Sequence, residues 1–166
     1  MSLAAVTFEE LLADFDLTAA RWKEFFATNP AAAEVSTDIA NSGNVGALVW
    51  HIYAASVRLS QRLLGEPLSD LSAPKPVKNI GGAWEMHALG AANLRRFLNG
   101  ASEAVLDEVM QFEIKAAGKF EVTRRKVCLH VFVHAMRHWA QIGPLVRQNG
   151  FPVGWPQDIL FSGAIR

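Results

Sequence analysis

The sequence predicts an all-α fold, a four-helix bundle that forms a single domain over residues 1–166. Apolar residues recur at three- and four-residue steps along four long stretches, which is the pattern of amphipathic helices. Asparagine, glycine and proline residues separate these stretches, as expected where helices stop. At least one connection is long enough for a crossover, which is compatible with bundle topology.

The first helix is predicted over about residues 6–27. Its apolar positions are Phe8, Leu11, Leu12, Phe15, Ala19, Trp22, Phe25 and Phe26. Thr7 is a suitable N-cap, and Glu10 stands three residues later, so the two residues complete a capping box. Asn29-Pro30 then ends the helix, because proline cannot continue it.

The second helix is predicted over about residues 45–64. The preceding residues 30–43 are small and polar and are interpreted as a linker, and either Asn44 or Ser42 can cap the helix. The apolar stripe of the helix is Leu48, Ile52, Ala55, Leu59 and Leu63. Gly65-Glu66-Pro67 closes it in the usual C-terminal manner.

The middle of the chain contains a crossover, a third helix and a change of pattern. Residues 66–80 contain three prolines and are predicted to be an extended crossover. The third helix is predicted over about residues 82–98 and ends at Asn99-Gly100. Apolar and polar residues alternate within 109–122, which predicts a short β-hairpin or extended excursion before the fourth helix. A frayed helix start over 102–111 is the alternative.

The fourth helix is predicted from a Thr123 cap to about Gln148, with Asn149-Gly150 as its end. The tail that follows, residues 151–166, contains two prolines and several aromatic residues. Because aromatic groups are stabilised by burial, we expect this tail to fold back on the bundle.

The composition excludes several classes of protein. The 16 basic and 16 acidic residues cancel, and no Lys/Arg cluster exceeds Arg124–Lys126, so specific nucleic-acid binding is not expected. No segment approaches 18 uninterrupted apolar residues, so no membrane span is expected. Residues 1–7 lack the pattern of a secretory signal, and the single Cys128 excludes an internal disulfide. We therefore expect a soluble cytoplasmic protein.

Three of the five histidines, His130, His134 and His138, follow one another at four-residue spacing. On a helix this spacing places all three rings on one side. His51 on the second helix lies within about 60° of the core-facing Leu48 and Ala55. Histidines at i and i+4 can bind one metal ion, and a histidine from a facing helix completes the set.

The predicted ligands are therefore His134, His138 and His51. Gln141 shares their face and is expected behind the ligands, where it can hydrogen-bond a ligand ring or a bound water. His130 is also expected behind the ligands, in a structural role, because it lies one step farther along the helix. The alternative is that these histidines are metal-free core groups joined by hydrogen bonds and water.

Other candidate residues are assigned less specialised roles. Cys128 projects from another side of the fourth helix and is interpreted as a small core residue. His87 is interpreted as a surface or packing histidine. Arg58 and Arg62 share the direction of His51; a solvated helix face is the preferred interpretation, and contact with an anionic substrate at the mouth of the site is the alternative. Ala135 stands where a helical zinc protease would place its glutamate, so no general base for peptide hydrolysis is present in the motif.

Two segments support a resemblance to a known family. They are Leu48-Val-Trp-His51-Ile, ending in Arg62-Leu-Leu-Gly65-Glu-Pro67, and His130-x3-His134-x3-His138-x2-Gln141, followed by Leu145-Val-Arg147-Gln148-x-Gly150. In order, spacing and helix placement, the chain resembles the DinB-like superfamily of metal-binding four-helix bundles from about residue 5 to 150. The resemblance implies an up-down-down-up bundle with a long crossover between helices 2 and 3.

The resemblance also implies a site, a cofactor and a partner. His51, His134 and His138 would bind one divalent transition metal, namely zinc, nickel, iron or manganese. A homodimer is implied as well. Members include DNA-damage-inducible proteins and transferases or isomerases that use low-molecular-weight thiols such as bacillithiol or mycothiol. Trp139 departs from many relatives, which carry a small residue there, and its indole is expected to narrow the pocket or alter a dimer contact.

Three functional hypotheses follow. The first is a metal-dependent enzyme, a thiol-dependent transferase or isomerase in which the metal lowers the pKa of a thiol cosubstrate. A metal-dependent hydrolase that uses the same ion with water is a close variant. The second is a non-catalytic, stress-related bundle with a structural metal. The third is a bundle whose histidines bind no metal.

Overall fold

A computed structural model describes residues 6–71, 79–114 and 118–165, and these residues are mostly helical. The α-helices are α1 (Phe8–Thr28), α2 (Val45–Leu64), α3 (Ile80–Gly100), α4 (Glu103–Asp107) and α5 (Arg124–Gln148). The strands are β1 (Ser36–Thr37), β2 (Gly43–Asn44), β3 (Val109–Ile114) and β4 (Gly118–Thr123), and short 3₁₀ helices span Pro30–Glu34, Ile39–Asn41 and Ile159–Phe161. None of the described helices is long and apolar enough to cross a membrane.

Helix α1 begins with the predicted capping box. The Glu10 amide donates to the Thr7 hydroxyl at 3.1 Å, and the Thr7 amide donates to the Glu10 carboxylate at 2.8 Å. These two bonds satisfy N–H groups that have no partner within the helix. Asn29 then caps the C-terminal end, where its amide N–H donates to the Phe25 carbonyl.

The segment between α1 and α2 is more ordered than the predicted linker. It forms two 3₁₀ turns and the small hairpin β1–β2, in which Ser36 pairs with Asn44. The turns are stabilised by burial of Ala32 and Ala33, which pack against the core. The Val45 amide donates to the Val35 carbonyl at 2.9 Å, so this segment holds the start of α2 in place.

The caps of α2 resolve an alternative that the sequence left open. Asn44, and not Ser42, caps the helix, because its side-chain oxygen accepts the Ala47 N–H at 2.8 Å. Ser42 instead donates to the Ile39 carbonyl within the preceding turn. At the other end Gly65 has φ +70°, the left-handed conformation that glycine adopts without strain.

Helix α3 is longer than predicted at both ends. It begins at Ile80 because the Asn79 side chain accepts the Gly82 N–H and caps the helix, and it includes Asn99-Gly100 before Ala101. The predicted extended crossover runs from residue 66 to the start of α3, and residues 72–78 of it lie outside the described residues.

The predicted excursion before the last long helix is a hairpin. Strand β3 pairs with β4 in antiparallel register, with Phe112 opposite Phe120 and Val109 opposite Thr123. The alternative, a helix over 102–111, is correct only for its first part. Ser102 caps the short helix α4, which ends at Asp107 before β3 begins. The described part of the chain therefore includes a fifth, short helix beyond the four that were predicted.

The four long helices pack around a shared core. α1 and α2 each contact both α3 and α5, so the core lies where the four helices meet. The largest fully buried side chains are Trp22, Tyr53, Phe132, Leu48, Ile52, Leu63, Leu94 and Ile142. Trp155 packs edge-on against Trp22 at 5.3 Å between ring centroids, so this part of the tail folds back as predicted. Ile159–Phe161 is exposed.

The close contact between α2 and α3 depends on Gly90. A Cβ atom there would lie 2.3 Å from the Ser56 hydroxyl oxygen and 3.3 Å from the Val57 amide nitrogen. Ser56 is buried and donates to the Tyr53 carbonyl at 2.7 Å, so the hydroxyl cannot move away without losing that bond.

We therefore expect Gly90→Ala to lower the free energy of unfolding by about 1–3 kcal/mol through overpacking. The matched control is Gly100→Ala in the same helix, because a Cβ atom there meets nothing within 4 Å. The control should be neutral or stabilise by up to about 1 kcal/mol, the helix-propensity difference between the two residues. Urea unfolding of both variants measures these changes, and equal effects would contradict the packing argument.

Candidate metal centre

Helices α2 and α5 bring three histidines together. His51 extends from α2, and His134 and His138 extend from α5. One ring nitrogen from each residue can be chosen so that all three lie within 4.8 Å of one another. The ring centroids are 5.2 Å apart for His51 and His134, 5.2 Å for His51 and His138, and 4.6 Å for His134 and His138.

The antiparallel packing of the two helices creates this cluster. The Arg124 guanidinium at the start of α5 donates to the carbonyl of Leu63 at the end of α2. This bond holds the N-terminal end of α5 beside the C-terminal end of α2. Between these ends, Leu48 and Ile52 on α2 and Val131 and Ile142 on α5 are buried in the core. His51 therefore meets the middle of α5, at the level of His134 and His138.

Gln141 orients one of the three rings. His138 Nδ1 lies 2.8 Å from Gln141 Oε1. An amide oxygen only accepts hydrogen bonds, so Nδ1 must be the protonated donor and Nε2 carries the free lone pair. This is the arrangement in which a metal-ligating histidine is usually held by a second residue. The sequence placed Gln141 on this face, and the structure shows which ring it contacts.

All three histidines favour the neutral form. The pKa of His134 is lowered to about 3, mainly by burial and in addition by charge repulsion from His138, His51, His130 and Arg137. Burial also lowers the pKa of His51, with a smaller contribution from His138. The pKa of His138 is lowered by burial and by Arg137, although the hydrogen bond that His138 donates to Gln141 opposes the shift. Neutral imidazole is the form that binds metal ions.

The donor set fits a single divalent transition metal. Two nitrogens that bind one zinc ion tetrahedrally, each at about 2.1 Å, lie about 3.4 Å apart, so small side-chain rotations would suffice here. Imidazole nitrogens suit zinc, nickel, iron and copper better than magnesium or calcium, which prefer oxygen. Three protein ligands, instead of four, leave at least one position for an exogenous ligand.

His130 and His87 lie outside the three-histidine group. The His130 ring is 5.7 Å from that of His134, but the residue is exposed on the next turn of α5. His87 packs between Phe15 and Tyr53, with ring centroids 5.3 Å and 4.9 Å away. Its Nε2 lies 3.0 Å from Asp16 Oδ1, so it is a packing histidine on the far side of the core.

The opposite side of α5 is aromatic core. Trp139 stacks on Trp22 of α1, with centroids 4.7 Å apart and an interplanar angle of 10°. Its indole thus extends toward α1 and leaves the space beside the histidines unchanged. A cavity of about 490 Å³ lies on this side between α1, α5 and the tail, and its lining includes none of the histidines. Cys128 is buried, and burial raises the pKa of its thiol to about 12.

One prediction about the surrounding cations was wrong in part. Arg58 is exposed, as expected of a solvated face. Arg62 is instead half-buried, and its guanidinium carbon lies 4.7 Å from the centre of the Phe112 ring in the hairpin. Sequence reasoning missed this contact, because it joins residues 50 positions apart, and the only signal was the alternation around Phe112.

These features define a mainly helical protein with a candidate three-histidine metal site on two facing helices. A model of the DinB family matches residues 1–161, so the chain belongs to the DinB family. No curated protein and no solved structure matches the chain. The family assignment agrees with the two sequence segments that carry the histidines.

Because the folded state disfavours protonated histidines, the metal-free protein should lose stability in acid. The pKa of His134 falls from an ordinary 6.5 to about 3 on folding. The unfolded chain therefore binds the proton more tightly, and stability falls as the pH drops below about 6.5, by at most about 1.4 kcal/mol per pH unit for this residue.

Thermal unfolding with a chelator at pH 7.0, 6.0 and 5.0 measures this effect. We expect the melting temperature of His134→Asn to depend less steeply on pH than that of the wild type. Gly100→Ala, which alters no titratable group, serves as the control and should keep the wild-type slope. Identical slopes for the wild type and His134→Asn would show that burial does not suppress protonation at this site.

Proposed function

We propose that His51, His134 and His138 bind one divalent transition metal, namely zinc, nickel, iron or manganese. We further propose that the protein is a metal-dependent transferase or isomerase that acts on a low-molecular-weight thiol. The observation that carries the proposal is the convergence of three neutral imidazoles from two facing helices. Membership of the DinB family supports it.

The residues of the chain have distinct parts in this proposal. The three histidines supply three ligand nitrogens, and Gln141 engages His138 Nδ1, which leaves Nε2 of that ring as the ligand atom. A bound divalent ion would lower the pKa of a thiol and favour the nucleophilic thiolate. The sulfur then forms a bond to an electrophilic carbon of the second substrate, and the leaving group departs with the electron pair of the broken bond.

The surroundings of the cluster favour a thiol over water as the nucleophile. Metal-dependent hydrolysis commonly uses a carboxylate as general base beside the metal-bound water. Helices α2 and α5 contain no aspartate or glutamate. A thiol needs less assistance, because its pKa is far lower than that of water. The hydrolase alternative is therefore less well supported.

The geometry also favours an exchangeable ligand over a purely structural metal. Structural zinc sites are usually closed by four protein ligands, and the group in the described residues has three. His51 and His134 are both half-buried, so the cluster reaches solvent. We propose that the long helices form the up-down-down-up bundle implied by the resemblance, and the homodimer stays a prediction.

Metal content tests the site. We expect about one metal ion per chain in wild-type protein produced without a histidine tag and measured by elemental mass spectrometry. His51→Ala leaves two ligands, both from α5, and the double variant His134→Ala/His138→Ala leaves one. Both variants should lose the ion, since the remaining ligands do not complete the site. His87→Ala is the matched control and should retain it. Full occupancy in both ligand variants would show that the metal binds elsewhere.

Thiol transfer tests the reaction. Metal-loaded wild-type protein is incubated with low-molecular-weight thiols and a panel of alkyl and aryl electrophiles, and the loss of free thiol is followed. His134→Ala should lower the metal-dependent rate by at least about a hundredfold, because thiol activation depends on the ion. Circular dichroism checks that the variant folds. The wild-type protein could be fully loaded with metal, show no turnover and lose melting temperature on chelation. That combination would support a structural metal instead.

A further inference from the structure

An apolar pocket adjoins the histidine cluster. It has a volume of about 200 Å³, and it lies between the β3–β4 hairpin, α2 and α5. Its lining residues are Leu59, Phe112, Phe120, Val122, Lys126, Val127 and His130. The pocket exists because the hairpin lies over the groove between the two helices, with Phe112 and Phe120 paired across the strands at 5.8 Å.

His130 connects the pocket to the candidate metal centre. It lines the pocket, and its ring centroid is 5.7 Å from that of His134. Leu59 and His51 lie two helical turns apart on α2, so the pocket and the cluster occupy neighbouring parts of one groove. His130 therefore both lines the pocket and lies beside the ring of His134.

One cation lines this pocket, and a second stacks on the ring of a lining residue. Lys126 contributes to its lining, and the Arg62 guanidinium lies 4.7 Å from the centre of the Phe112 ring. Arg95, Arg96, Arg124 and Arg125 each pair with an acidic residue. Arg62 and Lys126 form no ion pair within the described part of the chain, and their helices contain no carboxylate.

We propose that this pocket binds the second substrate of the proposed reaction, and that this substrate is a small organic anion with a compact apolar body. The apolar body occupies the space between Leu59, Phe112 and Phe120. Its carboxylate or phosphate-type group lies at Arg62 and Lys126, and its reactive end extends past His130 toward the cluster. This assignment rests on the proposed function, because the cluster supplies the activated thiol.

Size and charge together define the substrate class. A volume of about 200 Å³ equals that of about seven liquid water molecules, which suits one aromatic ring with a short chain. The stacking of Arg62 on Phe112 holds the guanidinium at the pocket, so little side-chain entropy is lost when an anion binds. A neutral ligand of the same shape would leave both cations without a partner.

Calorimetric titration with four probes tests the proposal. The probes are 4-phenylbutyrate, its neutral amide, butyrate, and 4-phenylbutylphosphonate, each titrated into metal-free and zinc-loaded protein. We expect 4-phenylbutyrate to bind about tenfold more tightly than the amide, and also than butyrate, in the metal-free protein. Tighter binding of 4-phenylbutylphosphonate than of 4-phenylbutyrate would indicate a phosphate-type substrate, and the reverse order would indicate a carboxylate.

Charge variants locate the anion. Arg62→Gln and Lys126→Gln should each weaken 4-phenylbutyrate binding by about threefold to tenfold and leave the affinity for the amide unchanged. Lys23→Gln on α1 is the matched control, since Lys23 is exposed and lies on another helix. It should leave the affinity for every probe unchanged. Leu59→Trp should block binding of the three probes that carry a ring.

The outcomes separate this proposal from the proposed function. Equal affinities for the acid and the amide, or equal effects of Lys23→Gln and Lys126→Gln, would overturn the substrate assignment even if the protein binds metal. Binding of 4-phenylbutyrate by a protein that takes up no metal would support the pocket and refute the metal-dependent reaction. Because the charge variants alter partly exposed side chains, the test does not depend on Leu59→Trp folding correctly.

Discussion

The candidate site depends on the antiparallel contact between α2 and α5. This contact places His51 opposite His134 and His138, and it partly shields their rings from water. Burial of imidazoles in turn disfavours their protonated forms, and the pKa of His134 falls to about 3. The same packing therefore gathers three ligands and keeps them in the form that a metal ion requires.

Helix α5 separates two environments along its length. Adjacent residues on a helix point about 100° apart, so His138 can face the cluster while Trp139 stacks on Trp22 in the aromatic core. On the core side, Trp155 of the tail packs edge-on against the same Trp22. Rigid packing on one side holds the histidines on the other in a fixed position, as preorganised sites require.

The net charge of zero conceals a segregation of charge. Helix α1 carries five acidic residues, whereas α2 and α5 carry seven basic residues and no acidic one. The histidine cluster and the hairpin pocket thus lie on the basic helices. A positive potential opposes protonation of histidines, as Arg137 does for His138, and it favours anionic ligands. This asymmetry links the candidate metal site to the substrate class inferred for the pocket.

The sequence by itself determined most of the secondary structure and the histidine face. The Thr7–Glu10 capping box, the Gly65 end of α2 and the spacing of His134 and His138 are local patterns, set within one or two helical turns. Only the tertiary structure decided that His51 meets this pair, that His130 stays outside the group and that Arg62 stacks on Phe112. Those contacts join residues far apart in the chain, and they depend on how helices and hairpin pack, which no local periodicity specifies.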